Sequence, residues 1–154
     1  MSTLQQAYET NFEHWVSQHI ELLKTGKLNE LDTEHLIEEL EGMAKRDRTA
    51  LISHLKILLV HLLKWQYQLN QLSEQWAEFT GKSWRNYIIE QRSEIQDQLE
   101  ESPSLQNYLE QALQKAYPKT VLLATKETGL TCFPTQCPYQ MQQILDDDFY
   151  PTPE

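Results

Sequence analysis

Apolar residues recur along this chain every three to four positions, the period of a helix with one buried face. Phe12, Trp15, Val16, His19, Ile20 and Leu23 form the first such stripe. Thr10 and Glu13 stand ahead of it at capping-box spacing, and Gly26 follows as a C′ glycine. A second stripe opens behind Asp32, a good N-cap residue, with Leu31 and Leu36 spaced as a hydrophobic staple. It continues through Ile37, Leu40, Ala44, Leu51, Leu55, Leu58 and Leu62 to about Trp65 or Gln68, with no proline. Unbroken, that helix is roughly 50 Å long at 1.5 Å per residue. The pattern is weakest over Lys45-Arg46-Asp47-Arg48-Thr49, where Asp47 is a second candidate N-cap, so a continuous and a split helix both stay open.

Residues 69–80 carry no clear period, and Gly81 ends whatever they form. The next helix is expected from about Ser83, with Trp84, Ile88, Ile95 and Leu99 on one face. Ser102-Pro103 then supplies an N-cap serine and a proline at N1. Leu105, Leu109, Ala112, Leu113, Ala116, Val121, Leu123 and Ala124 follow, and Pro118 should kink or split that helix. Gly129 closes it. Phe133-Pro134-Thr135-Gln136-Cys137-Pro138-Tyr139 is turn-rich, with Pro138 as N1 of a short helix reaching about Leu145. The expected fold is all-α: a four- to five-helix bundle with an irregular, proline-containing C-terminal appendage and a short last helix. A single domain over residues 1–154 is expected, with 129–154 packing over it.

Composition sharpens this picture. The 154 residues are 40% hydrophobic and include only 4 glycines, unlike a disordered or collagen-like chain. The net charge of −10 repels phosphate backbones and anionic bilayers, so neither nucleic acid nor membrane is expected as a partner. Ten Asp and Glu face five Lys and Arg in residues 1–50, but six face five in 51–100, as suits a core segment. Met1-Ser2-Thr3-Leu4-Gln5 lacks the basic and apolar regions of a leader. The run from Ile57 to Leu63, interrupted by His61, is far below the ~20 residues of a membrane span. A cytoplasmic location is therefore expected. Cys132 and Cys137, separated by four residues, match neither a CxxC redox pair nor a zinc framework, and reduced thiols are expected.

Few residues suggest chemistry. Gly81-Lys82-Ser83 resembles the end of a phosphate loop, but the required earlier glycine position holds Trp76. His19, His54 and His61 are candidate metal or ligand contacts on or beside apolar stripes. His54 and His61 sit two turns apart, about 10 Å along the axis, so a shared metal would need other helices. No Glu-x-x-His pair occurs in the chain. Arg92 falls inside an apolar stripe, where a charge is costly unless paired. A polar cluster of Arg92 with Glu41, Asp47 and Arg48 is the expected solution, and a ligand carboxylate or phosphate on Arg92 is its functional counterpart. Glu38-Glu39-Glu41 reads as a solvated face. Asp146-Asp147-Asp148 opposes the dipole at a helix C-terminus and reads as a solvated tail. Trp65, Tyr67, Trp76 and Trp84 either anchor a hairpin core or line a partner groove.

Several segments in order resemble a bacterial family, abundant in cyanobacteria, called domain of unknown function 29. They are Tyr8-Glu9-Thr10 with Phe12 and Trp15, Leu31-Asp32, Leu36-Ile37-Glu38-Glu39, His61-Leu62-Leu63-Lys64-Trp65, Ser83-Trp84 and Glu90-Gln91-Arg92. The resemblance continues through Ser102-Pro103-Ser104-Leu105, Tyr117, Glu127-Thr128-Gly129, Phe133-Pro134, Cys137-Pro138-Tyr139, Asp147-Asp148-Phe149 and Pro151. The stretch 69–82 is longer than the connection this resemblance implies. An all-helical fold is implied, but the resemblance identifies no catalytic residue; no cofactor is expected. The resemblance draws attention to His61, Lys64, Trp65, Arg92, Cys137 and Tyr139 as signature positions. Together the residues favour a non-enzymatic, acidic helical module that binds another protein or itself. The alternative is a metal- or small-ligand-binding bundle, enzymes included, built on inward-facing His, Arg and acidic residues.

Overall fold

A computed structural model describes residues 3–76 and 78–154. Met1 and Ser2 of the N-terminal segment, and Ala77 of the 69–80 connection, lie outside them. Among the described residues the chain is all-α, with seven α-helices and no strand. It forms two compact units, Met1–Arg46 and Asp47–Glu154.

The first unit holds α1 (Thr3–Thr10), α2 (Phe12–Lys24), a 3-10 turn (Leu28–Glu30) and the opening turns of α3 (Thr33–Tyr67). Helix α1 was not apparent from the pattern because it is largely polar and buries only Ala7. Its presence moves the expected cap of α2. The Thr10 hydroxyl donates back to the Gln6 carbonyl, and Asn11 Oδ1 accepts from the His14 backbone N–H at 3.2 Å. Gly26 lies just past α2 at φ 73°, the left-handed geometry of a C′ residue. Asp32 precedes α3 as expected, and its Oδ1 accepts from the His35 N–H at 3.5 Å.

Helix α3 is continuous from Thr33 to Tyr67. No proline interrupts it, and Lys45, Arg46 and Arg48 are good helix formers that keep their charges exposed. Asp47 therefore caps nothing.

The second unit is a hydrocarbon-cored bundle. Leu51, Leu55, Leu58, Leu59, Leu62 and Leu63 of α3 are fully buried with Ile88 and Ile95 of α5 (Lys82–Glu101). Ala112, Ala116 and Ala124 of α6 (Leu109–Thr128) complete the same cluster. Each fully buried Leu or Ile contributes roughly 1.5–3 kcal/mol of transfer free energy. Residues 69–80 supply the additional short helix α4 (Leu69–Gln75). Gly81, at φ 73°, then opens α5, and a Cβ there would lie 2.7 Å from Leu69 Cδ1 and 3.2 Å from Trp65 Cζ3. Both the backbone and the close approach require glycine.

Ser102-Pro103 starts a 3-10 stretch (Pro103–Tyr108), and α6 follows directly. Pro118 does not split α6: it and Gln114 are exposed, so water can reach the carbonyl that the proline leaves without a donor. The last helix, α7 (Met141–Leu145), begins three residues after Pro138. Gln140 and Gln143 form reciprocal capping bonds there, which replace the expected proline start. Named contacts fix the C-terminal segment. Tyr117 Oη donates to the Pro134 carbonyl at 2.6 Å, and Tyr139 Oη lies 3.2 Å from the Leu62 carbonyl and 2.7 Å from Gln66 Oε1. Ile144 is fully buried. No helix among the described residues is long and apolar enough to cross a membrane.

Candidate functional site

The charge inside the α5 stripe is resolved by backbone. Arg92 is only 2% exposed. Its Nε donates to the Ile144 carbonyl at 2.8 Å and one terminal nitrogen to Phe149 at 2.8 Å and Gln143 at 3.3 Å. The other terminal nitrogen reaches the Asp147 carbonyl at 3.5 Å. Arg92 is thus a C-terminal cap for α7, supplied from another helix. Burial pulls the guanidinium below its ordinary pKa, and Tyr150, Asp147 and Asp146 oppose that shift. The guanidinium also offers a reason for Asp146-Asp147-Asp148 at this helix end, since it is the positive charge that the local dipole lacks.

The expected partners of Arg92 are engaged elsewhere. The Asp47 carboxylate accepts from Ser102 Oγ at 3.4 Å, and its carbonyl accepts from Gln98 Nε2 at 2.7 Å. The Arg48 guanidinium sits 4.7 Å over the Tyr108 ring. Glu41 is exposed on the first unit. Four backbone carbonyls can satisfy a guanidinium as fully as carboxylates can, and no side-chain pattern announces them.

The three candidate histidines do not form one set. Both ring nitrogens of His19 are committed within the first unit: Nδ1 donates to the Trp15 carbonyl and Nε2 accepts the Asp32 N–H, each at 2.9 Å. That fixes a neutral tautomer with no lone pair left for a metal. His54 Nδ1 donates to Gln91 Oε1 at 2.8 Å. His61 Nδ1 donates to the Ile57 carbonyl at 2.7 Å, which leaves Nε2 as the acceptor nitrogen. Among the described residues no three His, Cys, Asp or Glu side chains gather as a metal site.

Around His19 the first unit builds a polar and aromatic network that sequence reasoning did not single out. Asp32 Oδ2 accepts from Trp15 Nε1 at 3.1 Å and from His35 Nδ1 at 2.6 Å. The Tyr8 ring stacks on His35 with centroids 4.0 Å apart, and Tyr8 Oη donates to Glu39 Oε1 at 2.6 Å. That bond raises the Tyr8 pKa to about 12. Hydrogen bonding to Asp32 raises His35. Burial alone would raise Asp32, but the bonds from His35 and Trp15 outweigh it and the net shift is downward. The only advance signal was that Tyr8, Trp15, Asp32 and Glu39 all fall inside the resembling segments.

Beside this network runs an apolar groove of about 350 Å³, lined on α2 by Phe12, Trp15, Val16, Ile20 and Leu23 and on α3 by Leu36, Leu40 and Met43. Glu39 and Arg46 are its charged lining residues. Ile20, Leu23, Leu40 and Met43 are each about half exposed, at 47%, 50%, 57% and 54%. The stripe pattern puts Ile20, Leu23 and Leu40 on inward faces and does not include Met43; all four are open to solvent here.

The second unit carries a different cleft, about 410 Å³, where α3, α5 and α6 meet. His61 and Lys64 line it from α3, Ser83, Trp84 and Tyr87 from α5, and Glu127 from α6. Lys64 Nζ pairs with Glu127 Oε2 at 2.6 Å and lies 5.8 Å from the Trp84 ring centre. The Tyr87 ring stacks on His61 with centroids 4.7 Å apart. Burial pushes the His61 imidazole below its ordinary value; the Ile57 bond opposes this and Lys64 adds to it. Trp65 packs on Tyr150 with ring centres 5.0 Å apart. Cys132 and Cys137 are free thiols, and Cys137 Sγ donates to the Tyr139 carbonyl. The Cys-Pro-Tyr turn therefore serves to place the Tyr139 hydroxyl on α3.

The class defined here is an acidic, all-α protein with an open apolar groove in one unit and a mixed polar and aromatic cleft in the other. The chain belongs to the family described as Domain of unknown function DUF29, whose model matches residues 7–150. No curated protein and no solved structure matches it.

Proposed function

We propose that this is a non-enzymatic protein-interaction module of the cytoplasm. Its first-unit groove receives the apolar face of a partner helix that carries basic residues on its flanks. The observation that supports this reading most is the placement of Ile20, Leu23, Leu40 and Met43, about half exposed along one groove. Large side chains on two facing helices form the usual receptor for an amphipathic helix.

Charge selects the occupant. Residues 1–46 hold nine Asp and Glu against four Lys and Arg, a net charge of −5. A second copy would bring the same net negative charge, and an anionic bilayer would be repelled as well. A basic-flanked helix is attracted, and its apolar stripe matches the groove.

The test is titration of the full chain with two synthetic amphipathic peptides sharing one leucine stripe, one with Lys flanks and one with Glu flanks. The Lys peptide should bind about tenfold or more tighter at low salt, and the gap should close at high salt. Leu40→Asp and Met43→Asp should abolish its binding while leaving the helical content intact. Equal binding of both peptides, no binding, self-association through Leu40 and Met43, or binding to uncharged vesicles would each overturn the proposal.

A further inference from the structure

We infer that the cleft between α3, α5 and α6 is a binding site for a small, uncharged, planar ligand such as a nucleobase or another heterocyclic amide. This inference is independent of the docking groove, since it rests on residues of the second unit alone.

Three observations define the ligand. The first is a directed acceptor. The Ile57 carbonyl can only accept, so it holds the His61 proton on Nδ1 and leaves the Nε2 lone pair for an N–H or O–H donor. The second is a flat aromatic wall. The Tyr87 ring stacks on the imidazole at an interplanar angle of 23°, although Tyr87 is 49% exposed, and Trp84 lines the same cleft. A planar ligand can extend that stack. The third is a cancelled charge pair with spare hydrogen-bonding capacity. Lys64 keeps N–H donors beyond the one directed at Glu127, and the carboxylate keeps its second oxygen. Adjacent C=O and N–H groups on one ligand edge can bridge the two.

The same pair argues against charged ligands. An anion accepting from the spare Lys64 donors would lie beside the Glu127 carboxylate, two negative groups side by side. A cation at Glu127 would meet the Lys64 ammonium. The imidazole adds no charge, so the cleft is balanced. Its size of about 410 Å³ falls within the range of small-molecule pockets. Were the pair and the stacked imidazole merely packing, no preference among ligand charges would follow.

The experiment titrates the full chain with four aromatic probes of similar size: benzamide, cytosine, benzoate and benzamidinium. Binding is read from the Trp84 indole and Tyr87 ring NMR signals. Benzamide or cytosine should saturate, with Kd values about tenfold or more below those of the two charged probes. His61→Phe keeps the ring packing, removes the acceptor and should weaken the neutral probes about tenfold. Tyr87→Ala removes a half-exposed ring that stacks on His61 and should weaken them as well, and it keeps the test valid if His61→Phe does not fold. The inference fails if the neutral probes leave both signals unmoved up to their solubility. It fails equally if a charged probe binds as tightly as they do, or if a folded variant binds them undiminished.

Discussion

The two units of this chain solve the burial problem in opposite ways. The second puts its hydrocarbon inside: Leu51, Leu55, Leu58, Leu59, Leu62, Leu63, Ile88 and Ile95 are all fully buried. The first buries Ala7, Trp15, His19 and Asp32, and leaves Phe12, Ile20, Leu23, Leu28, Ile37, Leu40 and Met43 exposed. Its order comes from hydrogen bonds and stacked rings around Asp32. A helical stripe in a sequence therefore says which face is apolar, not whether this chain alone covers it. Where the covering is missing, large apolar side chains stay exposed along the stripe.

Cavity formation gives the largest expected contrast. Leu58→Ala in the second unit should cost about 3 kcal/mol, because a fully buried leucine leaves both lost contacts and a void. Leu40→Ala in the first unit should change stability by no more than about 0.5 kcal/mol. Urea unfolding of the two variants measures both. A Leu40 cost close to that of Leu58 would show that the groove is an internal surface, and the comparison would collapse.

Arg92→Met comes next. Methionine fills much of the stem volume but strands the carbonyls of Ile144, Gln143 and Phe149, at an expected cost of about 2–3 kcal/mol. Amide exchange should accelerate over 139–150. Arg92→Lys should recover only part of the loss, since an ammonium cannot span carbonyls arranged around a planar fork. Unchanged exchange over 139–150 would remove Arg92 from the role of anchor.

How far these features were legible depends on the range of the interaction behind them. The two halves of α3 could be read because propensity and period agree over each, but its continuity could not, because the period is weakest over 45–49. Elsewhere Gly81 and Gly129 mark element ends locally. Arg92 was visible as an anomaly on its stripe, yet its partners were not. Backbone carbonyls some fifty residues away leave no trace in side-chain pattern. Asp32 was legible as a cap through its local bond to His35 N–H, but its second oxygen joins Trp15 and His35 through tertiary placement. Helix α1 was missed because TLQQAYET makes only about two turns, so Leu4, Ala7 and Tyr8 are too few apolar positions to establish a period. The His61 cleft lay halfway: its residues stood in the resembling segments, but only the fold brings Glu127 to Lys64.

Trp15→Phe sharpens the claim that hydrogen bonds order the first unit. Phenylalanine preserves most of the ring contact with Tyr8 and His19 and removes only the Nε1 donor to Asp32. The expected cost is about 1 kcal/mol, seen as faster amide exchange over 8–40 with exchange in 51–63 unchanged. Equal acceleration in both segments would mean that the units do not open separately.

The smallest effect is also the most discriminating, because the two units should respond to pH with opposite sign. The raised His35 pKa means that its contribution is fully present below about pH 6.5 and is lost as pH rises through the folded value. The lowered Asp32 pKa means that its contribution is present above about pH 3.9 and is lost only as pH falls through the folded value. His61 is a base with a lowered value, so the folded second unit resists a proton that the unfolded chain accepts. Its contribution is present above about pH 6.5 and fades as pH falls through the folded value. Acidifying from about pH 7.5 to about pH 5.5 should then slow opening of the first unit and speed opening of the second. Exchange rates must first be corrected for their intrinsic pH dependence. His35→Gln should flatten the first response alone and His61→Phe the second alone. A common sign in both units would refute the assignment of these two imidazoles to opposite roles.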